Sequence, residues 1–295
     1  MYYLLYGTFY FLSRLPFGAL YSLSDVLYRI AYYIVGYRKS VVLSNLKIAF
    51  PEKPEKERKQ IAKEFYRNLM DAIVETIKLF SLSEKELNKR CTADLELINE
   101  LAAKGKNIQL QPAHQFNVEY YNLLYSQQLK QLNFIFMYMP FSGDNLNRVF
   151  KKLRTQYGSK LVSATNFKNE RKVLEEGQYA LTLGADQSPG NVKDAMWMNF
   201  FSEPAPFIPG PAKVAVKNNY AIVCVQFVKE KRGYYKFENT LLAENPAGMS
   251  PEELTRKYRD FVEAAIRRQP SNYLWTHKRW KHRIKREDMG MWVDE

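Results

Sequence analysis

Cysteine is scarce in this chain. Cys91 and Cys224 are the only two among 295 residues, with no CxxC or Cys/His spacing, so neither a disulfide framework nor a structural zinc site has support and a reducing compartment fits best. Histidine is nearly as rare, at three: His114, His277 and His282. No GxSxG elbow, HExxH, Walker loop or GxGxxG is present. That removes serine hydrolases of the elbow type, zincins, P-loop enzymes and Rossmann dehydrogenases. The chain also lacks internal repeats and low-complexity linkers, and none of its uncharged runs gives a clean span of the roughly 20 apolar residues a transmembrane helix needs.

Acidic residues are the minority charge. Lys and Arg number 44 against 31 Asp and Glu, a formal charge of +13, which calls for an anionic partner: nucleic acid, acidic lipid, a phosphorylated substrate or an acidic protein. The excess is concentrated. Residues 267–286 hold eight cations (Arg267, Arg268, Lys278, Arg279, Lys281, Arg283, Lys285 and Arg286) and no acid.

Residues 1–37 show the opposite composition, with nine Tyr, three Phe and only three charges, Arg14, Asp25 and Arg29. An early Lys or Arg and a small-residue cleavage site are missing, so a signal peptide is not expected. Pro16-Phe17-Gly18 interrupts the apolar stretch. Tyrosine favours the membrane–water boundary, where ring and hydroxyl meet different solvents. The expectation is two short helices that lie on or dip into one leaflet; a buried helical hairpin of the core is the alternative. The plausible boundary falls near residue 38, dividing a membrane-associating segment, 1–37, from a catalytic domain, 38–295.

Beyond it, Ile61, Phe65, Leu69, Ile73 and Ile77 recur every four residues and predict an amphipathic helix from about Pro54 to Phe80. From residue 107, short apolar runs (Ile108–Leu110, Phe134–Tyr138, Leu161–Val162, Tyr179–Leu183 and Ala221–Val228) alternate with helical stretches near 116–129, 144–157 and 168–176. This alternation predicts an α/β fold with a central sheet flanked by helices. Ala221–Val228 and Tyr234–Leu242 predict an antiparallel hairpin, which makes the sheet mixed. The proline-rich stretch from Trp197 to Pro211 reads as a rigid apolar loop, and Pro211 suits the first turn of a short helix through Lys217.

His114 stands apart from the other two histidines. It follows an apolar strand and Pro112 and precedes a helical run, placing it where open α/β sheets hold their ligands. Glu119 lies five residues on. In mid-helix that offset turns the two side chains apart, but with His114 ahead of the first turn the carboxylate can reach back to the imidazole. Such a pair fixes the ring tautomer and leaves the other nitrogen to take a proton from a hydroxyl or amine. Spacing alone equally allows a capping histidine beside a surface glutamate.

Several segments together resemble the late acyltransferases of lipid A biosynthesis, the lauroyl/myristoyl transferase family of Gram-negative bacteria. They are Leu15-Pro16; Tyr37-Arg38; Asn45-Leu46 with Ala49-Phe50-Pro51-Glu52; His114 with Glu119; Arg154 ahead of Tyr157-Gly158; Gly177, then Ala185-Asp186-Gln187 with Gly190; Phe200-Phe201; Gly210-Pro211-Ala212; and Tyr273-Leu274-Trp275 through His277, Arg279, Trp280 and Lys281. The resemblance covers nearly the whole chain. It implies a glycerolipid-acyltransferase-like fold at the cytoplasmic face of the inner membrane. His114 would be a general base oriented by Glu119, with the acceptor hydroxyl attacking an acyl thioester directly. Arg154 would contact anionic substrate, and Asp186, Gln187 and Asn117 would shape the substrate site.

The donor implied is acyl carrier protein, with acyl-coenzyme A open as another, and no metal or cofactor is expected. The acceptor is a lipid A precursor. The family usually has Gly before the histidine and Asn-Trp before the glutamate, whereas this chain reads Ala113-His114-Gln115-Phe116-Asn117-Val118-Glu119, so an aminolipid, phospholipid or pigment hydroxyl stays open. Trp197 and Phe200-Phe201 are candidates to meet acyl chains, with core packing as their alternative. A nucleic-acid-binding protein using Tyr273, Trp275 and Trp280 as stacking groups ranks last, because it leaves residues 1–37 and His114 unused.

Overall fold

Pro16 separates two helices, α1 (Tyr2–Ser13) and α2 (Phe17–Arg29), and one π-type turn (Ile30–Val35) ends at Gly36 in a left-handed conformation. A computed structural model describes residues 1–282, 287 and 289–294 of the chain. After α3 (Lys39–Ala49), the four-residue periodicity produces the long helix α4 (Glu55–Lys78), as its spacing predicts. Helix α5 (Glu84–Arg90) starts at Ser83, whose hydroxyl accepts from the Glu86 amide in the Ser-x-x-Glu arrangement that satisfies free helix-end donors.

The remaining elements alternate. They are β1 (Cys91–Ala93), α6 (Glu96–Ala103), β2 (Ile108–Pro112), α7 (Val118–Gln128), β3 (Asn133–Tyr138), α8 (Asp144–Arg154), β4 (Lys160–Ser163), α9 (Phe167–Glu170) and β5 (Tyr179–Thr182). Next come β6 (Met196–Phe200), β7 (Glu203–Phe207), α10 (Gly210–Asn218), β8 (Ala221–Lys231), β9 (Tyr234–Ala243), α11 (Pro251–Arg268) and β10 (Met291–Trp292).

Seven strands form the central sheet in the order β1-β9-β8-β2-β5-β3-β4. The sheet is mixed, as expected: β2, β3, β4 and β5 run parallel, while β8 and β9 make the antiparallel hairpin. Strand β2 is buried along its whole length, as a central parallel strand covered on both faces must be. Successive residues of β8 serve opposite faces. Val223, Val225 and Phe227 join the apolar cluster under α5, α6 and α7, while Cys224 joins the cluster formed with α3, α4 and α11.

Trp197–Pro211 is not a loop. Residues 196–207 form an antiparallel hairpin, β6 with β7, in a second three-stranded sheet, and the prolines fit because Pro204 and Pro206 lie on β7, its edge strand. Trp197 and Phe200 are wholly buried in this packing, so both belong to the core rather than to an acyl-chain surface.

The three N-terminal elements lie against the rest of the chain. The Lys78 ammonium donates to the carbonyls of Ser13 and Leu15 at 2.8 and 2.9 Å, and the Phe80 ring meets Tyr6 and Phe9. Helix α2 is tied down by buried charge. Asp71 of α4 accepts from Ser24 at 2.7 Å, from Lys229 at 3.2 Å and from Arg232 at 2.7 Å, and Arg232 also pairs with Asp25. On the outer side Leu4, Phe11 and Ile34 remain 72, 73 and 78 % exposed. Among the described residues no helix is long and apolar enough to cross a membrane.

Removing the Asp71 carboxylate would leave Lys229 without its salt-bridge partner and Arg232 with Asp25 alone. Asp71→Ala is expected to lower stability by about 3 kcal/mol, the usual cost of breaking a buried ion pair, read as a shifted urea midpoint.

Candidate active site

Parallel strands place their C-terminal ends side by side. β2 pairs with β5 in the register Ile108↔Ala180 and Leu110↔Thr182, so the segments that leave these strands, Ala113-His114 and Gly184-Ala185-Asp186, emerge next to one another. His114 Nδ1 lies 2.6 Å from Asp186 Oδ1, and the His114 backbone N–H donates to Oδ2 of the same carboxylate at 3.1 Å. The His114 side chain is 36 % exposed and Asp186 is 0 % exposed.

Burial disfavours charge on both groups, yet their mutual attraction outweighs it. The His114 imidazole is raised above its ordinary value, because the Asp186 charge and hydrogen bond overcome desolvation. The Asp186 carboxyl, which desolvation would push up, is instead pulled down to about 2 by His114 and by a hydrogen bond from Tyr273. An ionised Asp186 accepts from Nδ1–H, which leaves His114 Nε2 as the basic nitrogen. Among the described residues Nε2 has no protein partner.

Glu119 does not reach back to the imidazole. Asn117 caps α7 through the Glu119 amide at 3.1 Å, and the Glu119 carboxylate turns to Arg154, which donates from Nε at 3.0 and 3.1 Å and from Nη2 at 2.6 Å. A planar guanidinium offers two parallel donors that an imidazole lacks, so the bidentate pair wins. Arg154 is therefore buried at the end of α8, ringed by Phe136, Tyr138, Phe141 and Phe150, rather than presented to an anion in solution.

Both pairs adjoin a cavity of about 420 Å³, within the range of small-molecule sites. His114, Asn117 and Glu119 line it, whereas Gln187, half-buried beside Asp186, does not. The other walls are mostly apolar. Leu69, Ile73 and Ile77 of α4 contribute, with Phe80, Phe136, Phe150 and, from α1, Phe9. The periodic face of α4 thus divides, with Ile61 and Phe65 in the core and the next three positions on the cavity.

Three contributors are not singled out as site residues by the sequence. Gly184 lines the cavity where a Cβ would come within 2.8 Å of His114 Cε1. The Tyr258 hydroxyl of α11 lies 3.3 Å from Asp186, and Leu274 donates its amide to the His114 carbonyl at 2.9 Å. Of the other histidines, His277 accepts from the Ser188 amide and is pushed down to about 4, first by burial and then by Arg279, so it is a neutral structural group.

The C-terminal cations are not a continuous free patch. Arg267 and Arg268 pair with Glu263 and Glu238, and Arg279 is buried between Phe200 and Phe207. Lys278 and Lys281 are exposed, while Arg283, Lys285 and Arg286 lie outside the described residues. Tyr273, Trp275 and Trp280 are buried, which withdraws them as stacking groups for nucleic acid.

A family model described as bacterial lipid A biosynthesis acyltransferase matches residues 1–282. No curated protein matches the chain.

A methyl group at position 184 would displace the imidazole from Asp186. In Gly184→Ala the His114 pKa is expected to fall back toward 6.5, followed by NMR titration of the ring protons.

Proposed function

The chain belongs to the bacterial lipid A biosynthesis acyltransferase family and is an acyltransferase; we propose that it moves a fatty acyl chain from the thioester of an acyl carrier protein to a hydroxyl of a lipid A precursor. The observation that carries this reading is His114, backed by buried Asp186, at an apolar cavity able to take an acyl chain.

His114 Nε2 removes the hydroxyl proton as the oxygen attacks the thioester carbonyl carbon. The imidazolium that forms is stabilised by Asp186, and it returns the proton to the departing thiolate as the C–S bond breaks. One ester forms and one thiol is released. A thioester is already an activated donor, so the scheme requires neither a metal nor a cofactor. It requires no acyl-enzyme either, which agrees with both cysteines being buried away from the cavity.

Glu119, held by Arg154, and Asn117 orient the bound groups from the cavity wall, and Gln187, outside that wall, is given no contact with them. The orienting carboxylate for the base is thus Asp186 rather than Glu119. An aminolipid, phospholipid or pigment acceptor would leave this chemistry unchanged.

The enzyme works from the membrane surface on the cytoplasmic face in this reading. Leu4 and Phe11 of α1 and Ile34 and Val35 of the turn at 30–35 face outward, near in sequence to Arg29, Arg38 and Lys39, which suit anionic headgroups.

Two outcomes test the proposal. With purified protein, acyl carrier donor and lipid A precursor, His114→Ala and Asp186→Asn should each lower kcat by about 10² to 10⁴ without loss of fold, with products read by mass spectrometry. The base acts when neutral, so wild-type activity should rise with pH through the elevated His114 value, and that limb should move to lower pH in Asp186→Asn. Turnover unaffected by His114→Ala would sink the mechanism. Separately, Leu4→Ser, Phe11→Ser and Ile34→Ser combined should cut recovery with floated anionic vesicles while leaving the melting temperature unchanged.

A further inference from the structure

The proposed base and its carboxylate follow two different strands, so something must hold those strand ends at the right separation. One side chain touches both. The Tyr258 hydroxyl, from α11, lies 2.9 Å from the Pro112 carbonyl oxygen, two residues before His114. It accepts from the Ala185 amide at 3.1 Å, one residue before Asp186. It also lies 3.3 Å from Asp186 Oδ1, the oxygen that meets the imidazole. A single hydroxyl thus joins the end of β2, the end of β5 and the carboxylate between them.

Its placement excludes direct contact with substrate. Tyr258 is buried and lines no part of the cavity that His114 borders. Its one proton faces two acceptors, while its oxygen takes the Ala185 N–H. Burying a phenol deep in a core is favourable only where its hydroxyl finds partners. Here those partners are the two segments that carry the reacting pair.

We infer that Tyr258 is a positioning residue for acyl transfer, its hydroxyl clamping the ends of β2 and β5 and fixing Asp186 against His114. This rests on the reading of His114 as the base. Loss of the hydroxyl has two separable effects. The strand ends lose their shared tie, which misplaces the base relative to the bound thioester. Asp186 also loses a donor, so its charge is less well satisfied and holds the imidazolium more tightly.

The second effect gives the test its sign. The titratable and charged groups facing the pair are Tyr258 from α11, Tyr273, His277 and Arg279 from the segment after it, and His114 and Asp186 themselves. Tyr258→Phe alters only the first. With one donor fewer on Asp186, His114 binds its proton more strongly, and the acid limb of the rate profile moves to higher pH.

The experiment measures kcat, KM and the pH profile for wild type, Tyr258→Phe and His114→Ala, with acyl carrier donor and lipid acceptor and a melting curve for each. Expected for Tyr258→Phe is a fall in kcat of about 10-fold to 100-fold, the usual effect of misplacing a catalytic group by around 1 Å, with KM unchanged and the acid limb displaced upward. Wild-type kcat would overturn the inference. So would a lower kcat with an unmoved limb, which assigns Tyr258 to folding alone. Undiminished activity in His114→Ala would instead remove the reading of His114 as the base on which the inference rests, whatever Tyr258→Phe shows.

Discussion

A carboxylate sealed from water must be surrounded by donors or give up its charge, and Asp186 is sealed completely. It keeps its charge because four donors converge on it: the ring and backbone of His114, Tyr258 and Tyr273. They arrive from three different parts of the chain. His114 follows β2, Tyr258 belongs to α11, and Tyr273 lies on the segment that crosses back over the strand ends. Satisfying one buried charge therefore dictates where the C-terminal third of the chain must pack. The segment is fastened further by the Asn45 amide, which donates to the carbonyls of Trp275 and His277 at 2.8 Å.

The second ion pair, Glu119 with Arg154, has a different character. It is buried, bidentate and ringed by aromatic faces, so both side chains are fixed in direction. In a cavity walled mostly by apolar side chains, a fixed carboxylate beside His114 and Asn117 marks the polar end. An acyl chain and a polar headgroup then have unlike places to go.

Local patterns were legible in the sequence, and long-range partners were not. The four-residue spacing from Ile61 to Ile77 defines α4, and the alternation in β8 puts Cys224 on one face with Val223 and Val225 on the other. His114, Glu119, Asp186 and Arg154 all stand out, yet their pairing does not follow from spacing. His114 and Glu119 are five residues apart but take partners 72 and 35 residues away. Strand order decides such meetings. The hairpin of β6 and β7 escaped because prolines argue against a central strand and leave an edge strand possible. β1, at three residues, is too short to show a period.

The Leu274 amide that bonds the His114 carbonyl, with the Tyr273 hydroxyl on Asp186, has a consequence for synthesis. Chains emerge from the ribosome amino end first, and strands β2 and β5 are complete long before these groups exist. Until residues 258–274 have been made, Asp186 lacks two of its donors and must stay hydrated. A nascent chain that already contains His114 and Asp186 is therefore still without a finished centre, which is complete only once residue 274 has been made.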